Sequence, residues 1–279
     1  MPGGLQAHYK KVMKTLRSIV CIKPVPDPKH RASFTLDPKT NTLVRQGIAE
    51  LINPLDKNAL EAALQLRDKQ GGEVIVVSMA PPGSKGVLKE ALAMGADRLV
   101  ILSDPAFAGS DTLATAHILS AGIRKLEPFD VVLCGDYTID GGTAQVSAQI
   151  AEFLGIPNVM HIRAIEVTAE NTLIVSSAIE QGAMKIEVAT PVVLSVLKEI
   201  NKPRYVTMMN ILDAEEKEME VWSASDLSLS EPWIGLQGSP TQMGEFTTPE
   251  KKKKAELLKG DPKEQAEILA DRLHRLGFC

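Results

Sequence analysis

Four short apolar runs in the first half of the chain, each followed by a helical pattern, constrain the fold more than any other feature. The runs lie at 16–22, 73–78, 98–102 and 130–134. They are rich in Val, Ile and Leu and show no polar alternation, as expected for strands buried on both faces of a parallel sheet. Between them, helical spacing predicts helices from Asn53 to about Lys69, from Ser84 to Met94 and from Asp111 to Leu126. Strand–helix repetition of this kind specifies a doubly wound, mostly parallel α/β sheet. Such sheets bind ligands at the carboxyl ends of their strands. The loops after Ile22, Ser78 and Cys134 are therefore the places to look for chemistry.

The loop after Cys134 is the most informative of these. It reads Gly135-Asp136-Tyr137-Thr138-Ile139-Asp140-Gly141-Gly142-Thr143-Ala144-Gln145-Val146 and leads into a helix expected over 144–154. A strand that ends in a glycine turn and feeds a helix presents unpaired backbone N–H groups and the positive end of the helix dipole. That combination suits a phosphate or pyrophosphate. Thr143 is expected both to cap the helix and to meet a phosphate. Asp140 would repel a pyrophosphate, so its expected role is to fix the turn or to bond a ribose hydroxyl or adenine amine. Asn53 suits an N-cap, Pro54 the first helical position and Asp56 the positive end of the dipole. Met79 could pack on an adenine or simply fill core.

Other signals narrow the class. The 279 residues carry a net charge of −4, which calls for neither nucleic acid nor an anionic membrane. No apolar run has transmembrane length. Cys21, Cys134 and Cys279 are widely spaced and odd in number, against a disulfide framework or zinc site and in favour of a reducing, cytoplasmic compartment. His117 and His161 stand without evident ligand partners, so no metal is assigned. No residue has the marks of a nucleophile or general base.

The remaining sequence divides as follows. Residues 1–13 read as a disordered leader before an α/β domain over 14–200. A small hairpin is expected around Asp37-Pro38-Lys39-Thr40-Asn41. Beyond Pro157, strand-like runs at 160–167, 172–178, 184–188 and 192–197 suggest an antiparallel addition to the sheet. From Asn201 onward the chain reads as a helix over 208–220 reaching outward, then an extended arm, then an amphipathic helix ending at Gly277. Its apolar stripe wants a surface, which suggests that 201–279 recognises partners.

The ordered motifs resemble the β subunit of electron-transfer flavoprotein from Leu16 to Gly277. They are Lys23-Pro24-Val25-Pro26-Asp27, Ile52-Asn53-Pro54-Leu55-Asp56 with Ala59 and Glu61, and Ala91-Leu92-Ala93-Met94-Gly95-Ala96-Asp97-Arg98. Gly135 with 140–146, and Pro203-Arg204-Tyr205 with Asn210-Ile211, complete the set. The resemblance implies a heterodimer with an FAD-carrying α subunit. It also implies a nucleotide pocket lined by Cys21, by Asn53, Pro54, Leu55 and Asp56, by Met79, and by Gly135, Asp140, Gly141, Gly142, Thr143, Ala144, Gln145 and Val146. One branch of the family holds AMP there and shuttles electrons from dehydrogenases. The other holds FAD, takes hydride from NADH, and sends electrons to the α-subunit flavin and to ferredoxin or flavodoxin. The runs 36–47, 140–146 and 235–241 look like the bifurcating branch, although Gly142 and Ser147-Ala148 depart from the family pattern. Met208 matches an exposed anchor for an acyl-CoA dehydrogenase-like partner. An ATP-binding stress or signalling protein of related fold is the remoter alternative.

Overall fold

The computed structural model describes residues 15–29, 48–169, 171–242 and 255–278. The expected leader and the hairpin around residues 37–41 lie outside them. Five strands build the centre of a nine-stranded sheet: β1 (Leu16–Cys21), β4 (Gly72–Met79), β5 (Arg98–Leu102), β6 (Val131–Gly135) and β10 (Val192–Val196). All pair in parallel, in the order β5-β4-β1-β6-β10. A separate antiparallel ribbon pairs β2 (Pro24–Pro26) with β3 (Glu50–Ile52) and brings the chain from the end of β1 to the first helix.

Burial on both faces explains the unbroken apolar runs. On β1, β4 and β6, Val20, Val76 and Leu133 enter the core under α1 (Pro54–Gln70) and α2 (Lys85–Met94). Their neighbours Ile19, Val77 and Val132 enter a second core under α3 (Thr112–Lys125) and α4 (Val146–Leu154). From β1 the chain steps outward through β4 and β5, then crosses back through α3 to β6 on the other side of β1. The strand order therefore reverses between β1 and β6, where a doubly wound sheet opens its ligand crevice.

The second half departs from expectation in two places. β7 (Asn158–Ala169), β8 (Thr172–Ile179) and β9 (Gly182–Ala189) form the expected antiparallel extension. β10 does not join it as an outer strand. It returns to lie between β6 and β7, parallel to both. Its burial is complete across all five residues, whereas β8 alternates and β9 is mostly exposed. A continuous Val192-Val193-Leu194 run has no polar face to offer solvent, so only a central position satisfies it.

The second correction concerns the acidic stretch after Met208. The helix α5 (Met208–Glu215) stops early, and β11 (Glu218–Trp222) follows as the edge strand beside β5. Arg98 holds it there, pairing with Glu218 at 3.0 Å and Glu220 at 2.5 Å. Lys217 donates to the carbonyls of Leu92 and Ala96 at the end of α2, at 2.9 and 2.8 Å. Residues 223–242, expected within an extended arm, instead lie on the chain's own β5–α3 connection. Ala224 N–H reaches Asp104, Gly235 N–H reaches Ser110 Oγ, and Thr241 N–H reaches Asp111.

The chain splits into two compact units at 243/244. In the second, α6 (Pro262–Arg275) begins at Asp261, whose side chain accepts from Lys263 and Glu264 in a full capping box. Arg272 pairs with Glu256 at 2.7 Å. Ile268, Leu269, Leu273, Leu276 and Phe278 are exposed. Among the described residues no helix is long and apolar enough to cross a membrane.

The placement of β10 can be checked by truncation. Leu194→Ala should cost about 2–5 kcal/mol of stability in urea unfolding, as for a fully buried leucine. Met184→Ala, on the exposed outer strand β9, should stay within about 0.5 kcal/mol.

Candidate nucleotide site

The switch point is built around one buried amide. Asn53 is fully buried at the start of α1. Its Nδ2 donates to Asp56 Oδ1 at 2.9 Å and to the Tyr137 carbonyl at 3.0 Å. Its Oδ1 accepts from Ile139 N–H at 3.2 Å, and its own N–H donates to the Lys23 carbonyl at 2.9 Å. Asn53 therefore does not cap α1 through its side chain, contrary to expectation. It spends that side chain tying the loop after β6 to the start of α1. Pro54 takes the first helical position as expected.

Asp56 completes the junction. Its Oδ2 accepts from Lys23 N–H at 2.8 Å. Burial pushes its carboxyl up to about 7, against the opposing effects of the Asn53 bond, the Lys23 and Gly135 N–H groups and the Lys23 charge. Gly135 is required by contact. A Cβ there would stand 2.3 Å from Asp56 Oδ1 and 2.8 Å from the Leu55 carbonyl carbon. Strand β6 thus ends directly against the first turn of α1.

Beyond this junction the loop opens outward. Gly142 N–H donates to the Thr138 carbonyl at 2.9 Å and closes a turn. Asp140 fixes that turn, as expected, by accepting from Gly141 N–H at 2.7 Å. Its other oxygen pairs with Lys23 Nζ at 2.7 Å. Burial alone would raise the Asp140 carboxyl, but Lys23, Thr138 and Gly141 N–H outweigh it and hold the carboxyl below the usual range. Gly142 and Ala144 both take left-handed backbone, at φ 65° and 54°. Gly141, Gly142, Thr143 and Gln145 are exposed.

Helix α4 starts at Val146, two residues later than expected, with Gln145 at the cap position and no side-chain cap bond. Thr143 therefore does not cap it. The Thr112 hydroxyl reaches Gln145 at 3.1 Å and ties this end of α4 to the start of α3. Within the first turn, Ser147 is only 3% exposed, and its Oγ has no hydrogen-bond partner among the described residues. A buried hydroxyl without a partner costs roughly 1–3 kcal/mol. Its place beside the unpaired N–H groups of a helix start fits an anionic oxygen of a ligand.

Cys21 and Cys134 are register partners at the ends of β1 and β6, both free and buried. The Cys134 thiol is pushed up, first by its hydrogen bond with Cys21 and then by burial, so it stays protonated. Met79 ends β4 and packs half-buried on the α3–α4 core. Cys21, the residues 53–56, Gly135 and the residues 140–146 thus converge on one rim, with Met79 one strand away. Lys23, Ser147 and the pair Asp136–His161 were not anticipated from sequence. Lys23 and its partner Asp140 lie far apart in sequence and meet only through the fold, so no local signal joins them.

A family model, "Electron transfer flavoprotein domain", matches residues 40–227. The chain belongs to the electron transfer flavoprotein family. It is 46% identical to an electron transfer flavoprotein subunit beta of Clostridium acetobutylicum, over 91% of this chain and 96% of the relative. It is 44% identical to the caffeyl-CoA reductase-Etf complex subunit CarD of Acetobacterium woodii, over 88% and 92%. It is 41% identical to the acryloyl-CoA reductase electron transfer subunit gamma of Anaerotignum propionicum, over 92% and 98%. The matched residues of this electron transfer flavoprotein chain include β6 and the loop after it, while β1, Cys21 and Lys23 precede them.

The Asp56 environment predicts a specific pH dependence. The folded chain holds the Asp56 proton up to about 7, whereas an ordinary aspartate loses it near 3.8. Between those values the folded state binds more protons than the unfolded state, so this group's stabilisation falls as pH rises. The slope contributed is at most about 1.4 kcal/mol per pH unit. Urea unfolding of wild type and Asp56→Asn across that window should show this component in the wild type only.

Proposed function

We propose that this chain is the β subunit of an electron-bifurcating flavoprotein complex. In this reading it binds FAD at the β1–β6 switch point and takes electrons from NADH. It passes them to the FAD of an α subunit and to a ferredoxin or flavodoxin, in concert with an acyl-CoA dehydrogenase-like enzyme in the cytoplasm. The observation that carries the reading is the open segment from Gly141 to Gln145, which follows the part of the loop that Asn53 ties to the start of α1 and precedes the unpartnered Ser147 hydroxyl. Relatives named as subunits of a caffeyl-CoA reductase-Etf complex and an acryloyl-CoA reductase support it.

A bound flavin would supply hydride acceptance and one-electron transfer. The chain's residues would do the rest. The N–H groups of the loop and of the first turn of α4 would take the phosphate oxygens, with Ser147 adding a hydroxyl. Lys23, kept in place by Asp140, would bring positive charge to the same oxygens. Asn53, Asp56 and Gly135 would keep the loop in register with the strand ends. Met79 and Cys21 would offer soft apolar surface to an adenine. The same pocket holding AMP would give a shuttle without bifurcation, and the bound nucleotide separates the two readings.

The partner surface follows from α5. Met208 is 72% exposed and Met209 64%, beside Tyr205 and Leu212, which are also exposed. A cluster of large apolar side chains on one short helix suits insertion into a pocket of a partner.

Three measurements test the reading. The chain purified with its α subunit should release two FAD per heterodimer on denaturation, whereas one FAD and one AMP would select the shuttle. Gly142→Val, which forces a β-branched residue into left-handed backbone, should remove the β-subunit nucleotide. Met208→Glu should raise the KM for the partner dehydrogenase about tenfold or more while leaving nucleotide content unchanged.

A further inference from the structure

One side-chain cluster on this rim belongs neither to the glycine loop nor to the junction with α1. Asp136 follows β6 and is 94% buried, since only 6% of its side chain is accessible. Its Oδ1 accepts a hydrogen bond from Ser195 Oγ at 2.7 Å and lies 2.9 Å from His161 Nδ1. Its N–H donates to the Val196 carbonyl at 3.0 Å. Three strands therefore contribute: Asp136 from the end of β6, Ser195 from β10 and His161 from β7.

The backbone is shaped to make this possible. Pairing between β10 and β7 slips between Leu194 and Val196, opposite His161. His161 itself takes left-handed backbone at φ 58°. A histidine reaches that region more readily than most residues, but it still marks a position under constraint. The irregularity turns an imidazole that would follow the strand's alternation towards the buried carboxylate.

The chemistry is directional. A carboxylate oxygen 2.9 Å from Nδ1 favours the proton on that nitrogen, which leaves Nε2 as the free nitrogen. Nε2 has no partner among the described residues, and the side chain is 49% exposed. A buried aspartate set against one nitrogen, so that the other faces outward, is a placement that can aim a histidine at a ligand.

Position then limits the ligand. The strands run β4-β1-β6-β10-β7. Neighbouring strands are ~4.8 Å apart, so β7 lies roughly 10 Å beyond β6 and roughly 19 Å from β4. An adenine near Met79 and Cys21, with its phosphate at the loop after β6, ends at the loop. His161 lies two strands further on. A ligand touches both ends only if it continues past its phosphates.

We propose that His161 is a contact residue for the second ring system of a dinucleotide lying across this rim, with Nε2 hydrogen-bonding the ring's polar edge and Asp136 as the positioning residue. The proposal rests on the FAD reading of the site. It assigns the β6–β10–β7 end to the ring, and it makes His161 a determinant of dinucleotide over mononucleotide.

The test is titration of the full-length chain with FAD and with AMP, followed by calorimetry and by the absorbance of bound flavin. Wild type should bind FAD more tightly than AMP. His161→Ala should weaken FAD binding about three- to tenfold, as for one lost hydrogen bond, and shift the bound-flavin spectrum, while AMP affinity stays within about twofold. His161→Gln should restore part of the FAD affinity. Asp136→Asn should move FAD affinity and the spectrum in the same direction as His161→Ala. AMP affinity serves as the folding control for every variant. Equal weakening of FAD and AMP, or an unchanged FAD affinity and spectrum in His161→Ala, would overturn the assignment while leaving FAD as the ligand. A wild-type chain that binds AMP and not FAD would overturn the FAD reading itself, and this assignment with it.

Discussion

Everything at the carboxyl rim depends on the close approach of β6 to α1. Gly135 permits that approach because a Cβ would collide with Asp56 and Leu55. Asn53 then turns proximity into a fixed geometry. One amide bonds Asp56 on its own helix and two backbone groups on the loop after β6. Its donors and its oxygen are all in use, so the loop cannot slide without leaving buried polar atoms unpaired. In a low-dielectric interior that penalty is larger than the net worth of the same bonds at the surface. The open turn from Asp140 onward inherits its position from this junction.

The same logic separates the rigid part of the molecule from its adaptable parts. The five central strands bury both faces, and their side chains alternate strictly between two cores. β8 and β9 bury far less, and α5 presents its methionines outward. The fold thus supplies a stiff base at the switch point and compliant surfaces at the periphery.

Much of this was legible in the residues. The apolar runs required a doubly buried parallel sheet, and the glycine turn after Cys134 marked the rim. The errors have physical causes. The Val192-Val193-Leu194 run follows antiparallel neighbours in the chain, but its lack of alternation suits the central strand that it forms. Glu218 and Glu220 looked like a solvated helix face because the residue that neutralises them, Arg98, lies far away in sequence. Asn53 and Thr143 looked like helix caps because their local context suits a cap. Long-range partners redirected Asn53, and the late start of α4 stranded Thr143. The Asp136–Ser195–His161 cluster had no sequence signature, since its members come from three strands and meet only through a slip in pairing.

Lys23 and Asp140 lead to one more point. Each is the other's counter-ion at 2.7 Å, only partly shielded from water. A phosphate arriving beside Lys23 would therefore compete with a carboxylate already in place, and a departing phosphate would leave behind a neutral pair rather than a bare cation. Under the proposed reading the Asp140 carboxylate would be a resident stand-in for the ligand's charge. On that reading it would narrow the electrostatic gap between loaded and empty states, so the chain could fold before its nucleotide arrives without an unbalanced charge in the site.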